Sequence, residues 1–423
     1  VSIKRNWREE IKIHSPYNCD IHLLDTDKPG QKKYHEWLKL PGFKWLVVGI
    51  ESLSAGAAYD LASEFVDNKT YIVIDESSKI KTHNAKRSER CRDLGSDAYA
   101  RAIMTGTPIT QGMVDLYSQF QFLDKDIIGI NDFFSFRNRY AIMGGYENKQ
   151  IIGYRKTDEL VGAVSPYIFQ VRKRDVLKDL PERTTQVRRV KLSEEQKKHY
   201  SEIKTKLKTE VEGKGHIEVK NALGAMLRLA EICGGFISYE NTEADLVTGK
   251  VKKFKRERLK SNPKLEELMN FLEELPEDEP VIIWATFVPE MDMIYERICQ
   301  KYGADSVVQI RGQVDEATRH EYVTAFQKGE KRFVVGNQGA GGIGLNMTAA
   351  CLMIYFSNDF SLRKRLQSEG RIERIGQTRK MTYVDIVCEG TVDEHAATVL
   401  IDKGDFAEYV RKAIDDNTLL NLI

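Results

Sequence analysis

Short, unbroken apolar runs recur through the second half of the chain with helix-length segments between them. They are Val281-Ile-Ile-Trp-Ala285, Ser306-Val-Val-Gln-Ile310, Arg332-Phe-Val-Val335, Ala350-Cys-Leu-Met-Ile-Tyr-Phe356 and Met381-Thr-Tyr-Val-Asp-Ile386. Runs this short, rich in Val and Ile and without polar alternation, read as strands buried on both faces. Parallel strands need a crossover of a dozen or more residues, which the intervening segments supply. The pattern therefore predicts an α/β domain built on a parallel sheet.

The first part of the chain repeats the pattern with Trp45-Leu-Val-Val-Gly-Ile50, Tyr71-Ile-Val-Ile74 and the weaker Ala100-Arg-Ala-Ile-Met104. Between the two α/β parts the character changes. Residues 192–211 carry a long, charged helical pattern, and residues 222–232 a shorter, more apolar one. Lys252-Lys-Phe-Lys-Arg-Glu-Arg-Leu-Lys260 is a basic run with one aromatic, read as a solvated loop with phosphate contact as the alternative. The expected division is 1–180 and 264–423 as two α/β domains, with 181–263 a helical insertion and linker. At 423 residues and 48.5 kDa the chain is long for a single core.

The net charge of +1 conceals 64 basic and 63 acidic residues, so any basic surface is local. The six cysteines, Cys19, Cys91, Cys233, Cys299, Cys351 and Cys388, show no Cys-x-x-Cys spacing. They read as buried thiols of a reducing compartment, not as a disulfide framework or zinc site. No apolar run approaches the roughly 20 residues that a membrane helix needs. The first residue is Val1, not Met, and an upstream segment is expected.

Three strings carry chemistry. Asp75 and Glu76 follow the Tyr71 strand, at the edge where open parallel sheets bind ligands. There Asp75 can hold Mg²⁺ and Glu76 can take a proton from an attacking water. Thr105-Gly-Thr-Pro108 follows the next strand as a tight turn with two hydroxyls. Residues 367–377 read Gln-Ser-Glu-Gly-Arg-Ile-Glu-Arg-Ile-Gly-Gln. On a helix Gln367, Arg371 and Arg374 share one face, and paired guanidinium groups suit a multiply charged phosphate. Gly339-Ala-Gly-Gly-Ile-Gly344 matches the dinucleotide fingerprint G-x-G-x-x-G. The few residues from Gly344 to Ala350 leave no room for the crossover helix of a Rossmann unit. The glycines instead let backbone amides approach a phosphate or sugar.

In order and spacing these strings resemble the Snf2 family of superfamily 2 helicase-like, DNA-dependent ATPases, over nearly the full chain. Asn6-Trp7 with Glu9-Glu10 resembles the end of motif Ia, Asp75-Glu-Ser-Ser78 motif II, and Met104-Thr-Gly-Thr-Pro-Ile109 motif III. Val281-Ile-Ile-Trp284 resembles motif IV, with Arg311-Gly312 at the turn that follows. Gly339-Ala-Gly-Gly-Ile-Gly-Leu-Asn346 resembles motif V, and residues 367–377 resemble motif VI. Leu180-Pro181, Asn262-Pro-Lys-Leu265 and Gly390-Thr-Val-Asp-Glu394 also fall where the family pattern has such strings.

The resemblance implies two RecA-like parallel-sheet domains with a helical insertion between them, binding ATP and Mg²⁺ in the interdomain cleft. It implies Asp75 on the metal, Glu76 positioning the water, and Arg371 and Arg374 as arginine fingers. Gln367, Gly342 and Gly344 would touch nucleotide, while Thr105, Gly106, Thr107, Arg311, Gly341 and Asn346 would contact DNA or couple the sites. The partner implied is double-stranded DNA, held by its backbone without sequence preference. A monomer in the cytoplasm or nucleoid of a bacterial or virus-infected cell is expected, with no membrane association.

The chain departs from the pattern in three places. No G-x-x-x-x-G-K-[ST] occurs in it. In the family that P-loop precedes motif Ia, and without it the chain is expected to hydrolyse ATP poorly or not at all. Gly370 and Glu373 stand where motif VI usually has Asp and His, and Ser78 replaces the usual motif II histidine. The competing readings are a catalytically inactive nucleic-acid-binding module and a strand-separating DNA or RNA helicase.

Overall fold

The computed structural model describes residues 2–109, 112–144, 150–171, 179–214, 219–240, 254–312, 314–341 and 345–402. They divide into two compact units, meeting in the chain between Val176 and Leu177.

In the first unit β1 (Cys19–Leu23) and β2 (Phe43–Val47) form one parallel pair, and β3 (Tyr71–Asp75) and β4 (Ala100–Met104) another. The expected single parallel sheet is thus two separate two-stranded sheets among the described residues. The run Trp45–Ile50 expected as a strand ends early: the strand is Phe43–Val47, and Ile50 opens a 3-10 turn, Ile50–Ser54. The apolar faces are covered by helices. Ile74, Leu53, Ala62, Leu94 and Phe122 pack together beside β3, while Tyr34, Trp37, Ala58 and Leu61 pack with Leu24 beyond the end of β1. A third cluster, Leu116, Tyr117, Phe120, Phe136, Tyr140, Leu160 and Val164, joins three helices. Beside it lies the antiparallel hairpin β5 (Ala141–Gly144) and β6 (Gln150–Tyr154), for which the sequence pattern gave no expectation.

The second unit holds a six-stranded parallel sheet. Its strands are β7 (Arg183–Val190), β10 (Val281–Trp284), β11 (Val307–Ile310), β12 (Phe333–Gly336), β13 (Leu352–Tyr355) and β14 (Met381–Cys388), in the order β11-β12-β10-β13-β14-β7. All five strands expected after residue 264 are present. Alternation along each strand splits the core in two. Val281 and Ile283 face the helices Pro263–Glu274 and Val288–Tyr302, whereas Ile282 and Trp284 face Phe326, Leu345, Met347 and Ile372.

The stretch 181–263 does more than link. β7 pairs with β14 along eight residues and forms the edge of the sheet. The helices Glu194–Lys214 and Val219–Cys233 bury Tyr200, Leu207, Met226, Leu229 and Ile232 against Val392 and Ala396 of the helix Val392–Ile401. The basic run expected to be a loop contains a strand, β9 (Phe254–Arg258), antiparallel to β8 (Phe236–Glu240). Phe254, Arg256 and Arg258 alternate with Lys255 and Glu257 there, so pairing with β8 supplies the backbone partners that the charged side chains do not.

Three cysteines, Cys91, Cys233 and Cys388, are buried as expected. Cys19, Cys299 and Cys351 are half-buried instead; Cys19 opens β1, Cys299 lies in the last turn of its helix, and Cys351 precedes β13. Among the described residues no helix is long and apolar enough to cross a membrane.

Candidate active site

β3 ends at Asp75, and the chain turns sharply to place the next carboxylate. Glu76 takes φ 54° and ψ 50°, the left-handed region that a residue with a side chain enters at a cost of about 1–3 kcal/mol. Among the described residues only Lys156 shares this positive φ without being glycine. Asp75 is fixed from two sides: the Trp7 indole N–H donates to Oδ2 at 3.1 Å, and the Glu76 backbone N–H donates to Oδ1 at 2.9 Å. Both carboxylates are half-buried. Among the described residues each Asp75 oxygen accepts one hydrogen bond, which leaves it a further lone pair. One carboxylate is what Mg²⁺ asks of a protein when phosphates and waters fill its other positions, so the residues present fit the ion.

The turn after β4 is tied to the acidic pair by a buried amide. The fully buried Ser77 donates its hydroxyl to Gln119 Oε1 at 2.7 Å, and Gln119 Nε2 donates to the Pro108 carbonyl at 2.8 Å. β3 and β4 are paired in register, Asp75 opposite Met104. Thr105 closes its own turn by accepting the Thr107 N–H on Oγ1 at 3.1 Å. Thr105, Gly106 and Thr107 thus sit beside the carboxylates. A Cβ at Gly106 would meet nothing within 4 Å, so no crowding demands glycine there.

In the second unit the helix expected across residues 367–377 stops early. It spans Leu362–Glu369, Gly370 caps it, and the chain continues through tight turns. The Arg371 N–H bonds the Ser368 carbonyl at 3.0 Å, and Ile372 is fully buried under the sheet. Glycine's poor helix propensity permits the stop, and burial of Ile372 rewards it. Gln367, Arg371 and Arg374 therefore do not form a helical stripe. Instead each guanidinium folds back on the backbone four residues earlier: Arg371 Nε donates to the Gln367 carbonyl and Arg374 Nε to the Gly370 carbonyl, both at 2.9 Å. Arg371 is buried and Arg374 half-buried.

The motif V and VI strings are joined here. The Met347 N–H donates to the Arg371 carbonyl at 3.1 Å, and Arg371 Nη1 donates to the Leu345 carbonyl at 3.3 Å. Gln377 adds a bond to the Ala350 carbonyl at 2.8 Å. Asn346 is exposed between the buried Leu345 and Met347. Gly341 ends the short helix Gln338–Gly341, and no crossover helix follows among the described residues before β13. Gly342 and Gly344 lie outside the described residues. Arg311 is paired with Asp292 at 3.0 Å.

Several roles escaped the sequence reading. Trp7 lies in the string that resembles motif Ia, but nothing in that string marks it as the partner of Asp75, and no local pattern marks Gln119, which holds Ser77 beside the carboxylates. Lys264 and Asp393 lie in two of the quoted strings and meet at 2.6 Å in a fully buried ion pair. Burial alone would lower the lysine's pKa, but Asp393 and its neighbours outweigh it and hold the ammonium form. Cys233 and Cys388 place their sulfurs within 4.8 Å of an Asp393 oxygen, yet the Lys264 ammonium already occupies that carboxylate. Arg365 and Asp385 form a second buried pair. The signal for that one was present, since Asp385 interrupts an otherwise apolar strand and a buried carboxylate requires a cation.

A family model of the SNF2-related domain matches residues 1–235, more than half of the chain, and one of the helicase conserved C-terminal domain matches residues 263–376. The chain belongs to the SNF2-related family. An uncharacterized ATP-dependent helicase of Mycoplasma genitalium is 26% identical over 420 residues, covering 98% of this chain and 36% of that protein. A putative ATP-dependent helicase/translocase of Bacillus subtilis is 24% identical, covering 95% of this chain and 41% of its own length. The human SWI/SNF-related matrix-associated actin-dependent regulator of chromatin subfamily A member 1 is 26% identical, with 93% and 36% covered. The chain thus spans 36–41% of the length of these relatives. Among solved structures, the Sulfolobus solfataricus SWI2/SNF2 ATPase core in complex with dsDNA is 21% identical, covering all of this chain and 84% of that one, with a TM-score of 0.44.

Proposed function

We propose that the chain is the motor core of an ATP-driven double-stranded DNA translocase. The observation that carries the reading is the acidic pair at the end of β3, with Asp75 held by Trp7 and Glu76 held left-handed. Such a strained, oriented pair suits positioning a metal and a water.

Asp75 would hold Mg²⁺, which when bound supplies charge neutralisation across the β- and γ-phosphates. Glu76 orients the attacking water and takes its proton at a carboxylate oxygen. Arg374 and Arg371 stabilise the negative charge that grows on the transferred phosphoryl oxygens. The Ser77–Gln119–Pro108 link supports a coupling role for Thr105 and Thr107, because movement at the carboxylates reaches the adjacent turn. Residues 1–180 serve as one lobe, and 264–423, with β7 at the edge of their sheet, as the other. DNA is a duplex gripped by its phosphates, so binding weakens steeply with salt. The reading needs a phosphate cradle from outside these 423 residues, which contain no P-loop string.

The test is ATP hydrolysis with and without duplex DNA, by this chain and by an N-terminally extended form carrying a P-loop. Turnover by the extended form, stimulated by duplex and abolished by Arg374→Ala, is the expected result. An extended form that binds DNA without hydrolysing ATP establishes the inactive binding module instead. Stimulation by single strands or RNA but not by duplex favours the strand-separating helicase.

A further inference from the structure

The helix Leu362–Glu369 leads directly into the arginine turn, but apolar packing does not hold it. Its sequence is Leu-Arg-Lys-Arg-Leu-Gln-Ser-Glu, Leu366 is exposed, and its buried residues are Arg365, Ser368 and Glu369. An eight-residue helix is unstable by itself, so something other than propensity must anchor it. What anchors it is polar. Arg365, 1% exposed, grips Asp385 of β14 with two parallel bonds, Nη1 to Oδ1 at 2.6 Å and Nη2 to Oδ2 at 2.9 Å. The same guanidinium donates to Glu369 Oε1 at 2.9 Å and Asn358 Oδ1 at 2.8 Å, and it lies 3.4 Å from the centre of the Tyr355 ring. Asn358 Nδ2 donates to Asp385 Oδ1 at 2.8 Å, and Ser368 Oγ lies 2.9 Å from the Tyr355 hydroxyl.

We propose that the Arg365–Asp385 pair is the positioning device for the arginine turn, setting where Arg371 and Arg374 stand. The helix carries the Gln367 carbonyl and leads to the Gly370 carbonyl, the acceptors of Arg371 Nε and Arg374 Nε. Rotation or sliding of the helix on the sheet moves both guanidinium groups together. A hydrophobic contact tolerates such sliding, whereas a planar fork on a fixed carboxylate admits a single register. Burial of Ile372 pins the far side of the turn, and the Arg365 network pins the near side. Arg365 touches no reacting atom; it acts through Arg371 and Arg374. The assignment takes its catalytic meaning from the ATPase reading above.

Arg365→Lys keeps the charge but loses the fork, and Asp385→Asn keeps the shape but loses the charge. Amide hydrogen exchange in this chain is the first measurement. Exchange across residues 371–377 should quicken at least tenfold in both variants while β10 and β13 keep their protection. Unchanged protection at 371–377 in a folded variant overturns the assignment. Should Arg365→Lys fail to fold, the nearly isosteric Asp385→Asn carries the same test.

ATP turnover by the extended form is the second measurement. The expected result is at least a tenfold fall in kcat with KM for ATP within about threefold. Full kcat in a folded variant overturns the assignment. A parent without any turnover sinks the ATPase reading, and the exchange result then decides the positioning claim independently.

Discussion

The indole N–H of Trp7 donates to Oδ2 of Asp75 at 3.1 Å, joining the helix Ser2–His14 to the end of β3 across 68 residues of sequence. This bond fixes the rotation of a carboxylate that would otherwise swing about its side-chain torsions. Trp7→Phe removes the donor while preserving most of the ring. Loss of an orienting partner typically weakens a metal site about 10- to 100-fold. Turnover by the extended form should therefore need about tenfold more Mg²⁺ for half-maximal rate. An unshifted Mg²⁺ titration would show that Asp75 needs no help from Trp7.

Gln119 is fully buried and spans from Ser77 to Pro108. Gln119→Leu fills the space but leaves the Ser77 hydroxyl buried without its acceptor. The cost is about 1–3 kcal/mol. Thermal unfolding should register a drop of several degrees, and duplex stimulation should fall more than basal hydrolysis. Equal loss of both rates would argue against coupling through this link.

Lys264→Met leaves the Asp393 carboxylate buried without its cation. Breaking a buried pair from one side costs about 3–5 kcal/mol. Adding Asp393→Leu removes the orphaned charge, and the double variant should recover at least half of that loss in urea unfolding. A double variant no better than the single would mean that the Cys388 N–H, which also donates to Asp393 at 3.1 Å, dominates the site.

Glu290 is fully buried, and burial pushes its pKa up from an ordinary 4.5 to about 7. It accepts from the Ser357 hydroxyl at 2.5 Å and the Phe287 N–H at 3.1 Å. Its folded pKa lies above its unfolded value, so its contribution is full below about pH 4.5 and is lost as pH rises through about 7. The span is on the order of 3 kcal/mol. Glu290→Gln should flatten the stability of the second unit between pH 4.5 and 7.5, measured by chemical unfolding. A variant with the parent's slope would assign that pH dependence elsewhere.

How much was legible differs between the units. In the second, continuous apolar strings such as Val281-Ile-Ile-Trp284 can be satisfied only inside a sheet covered on both faces, so five strands and their parallel sense were readable. In the first, Cys19–Leu23 reads Cys-Asp-Ile-His-Leu, too polar to mark a strand, and it forms only because β2 pairs with it. β7, Arg-Thr-Thr-Gln-Val-Arg-Arg-Val, escaped for the same reason. An edge strand exposes one side and tolerates charges that an apolar-run criterion rejects.

The residue types of the candidate site were set by the sequence alone: a carboxylate pair after an apolar strand, a hydroxyl turn after the next, and paired arginines beyond a glycine. Their chemistry is intrinsic, since a guanidinium or a carboxylate suits phosphate or metal in any fold. Orientation was decided by the tertiary structure. Trp7 reaches Asp75, Gln119 joins Ser77 to Pro108, and Asp385 holds Arg365, each across tens of residues that no local spacing relates. The helical stripe predicted for Gln367, Arg371 and Arg374 gave way because burying Ile372 and seating Arg365 outweigh the propensity of a glycine-interrupted helix. Short-range propensity is worth tenths of a kilocalorie to about one per residue, and buried pairs and apolar contacts are worth several.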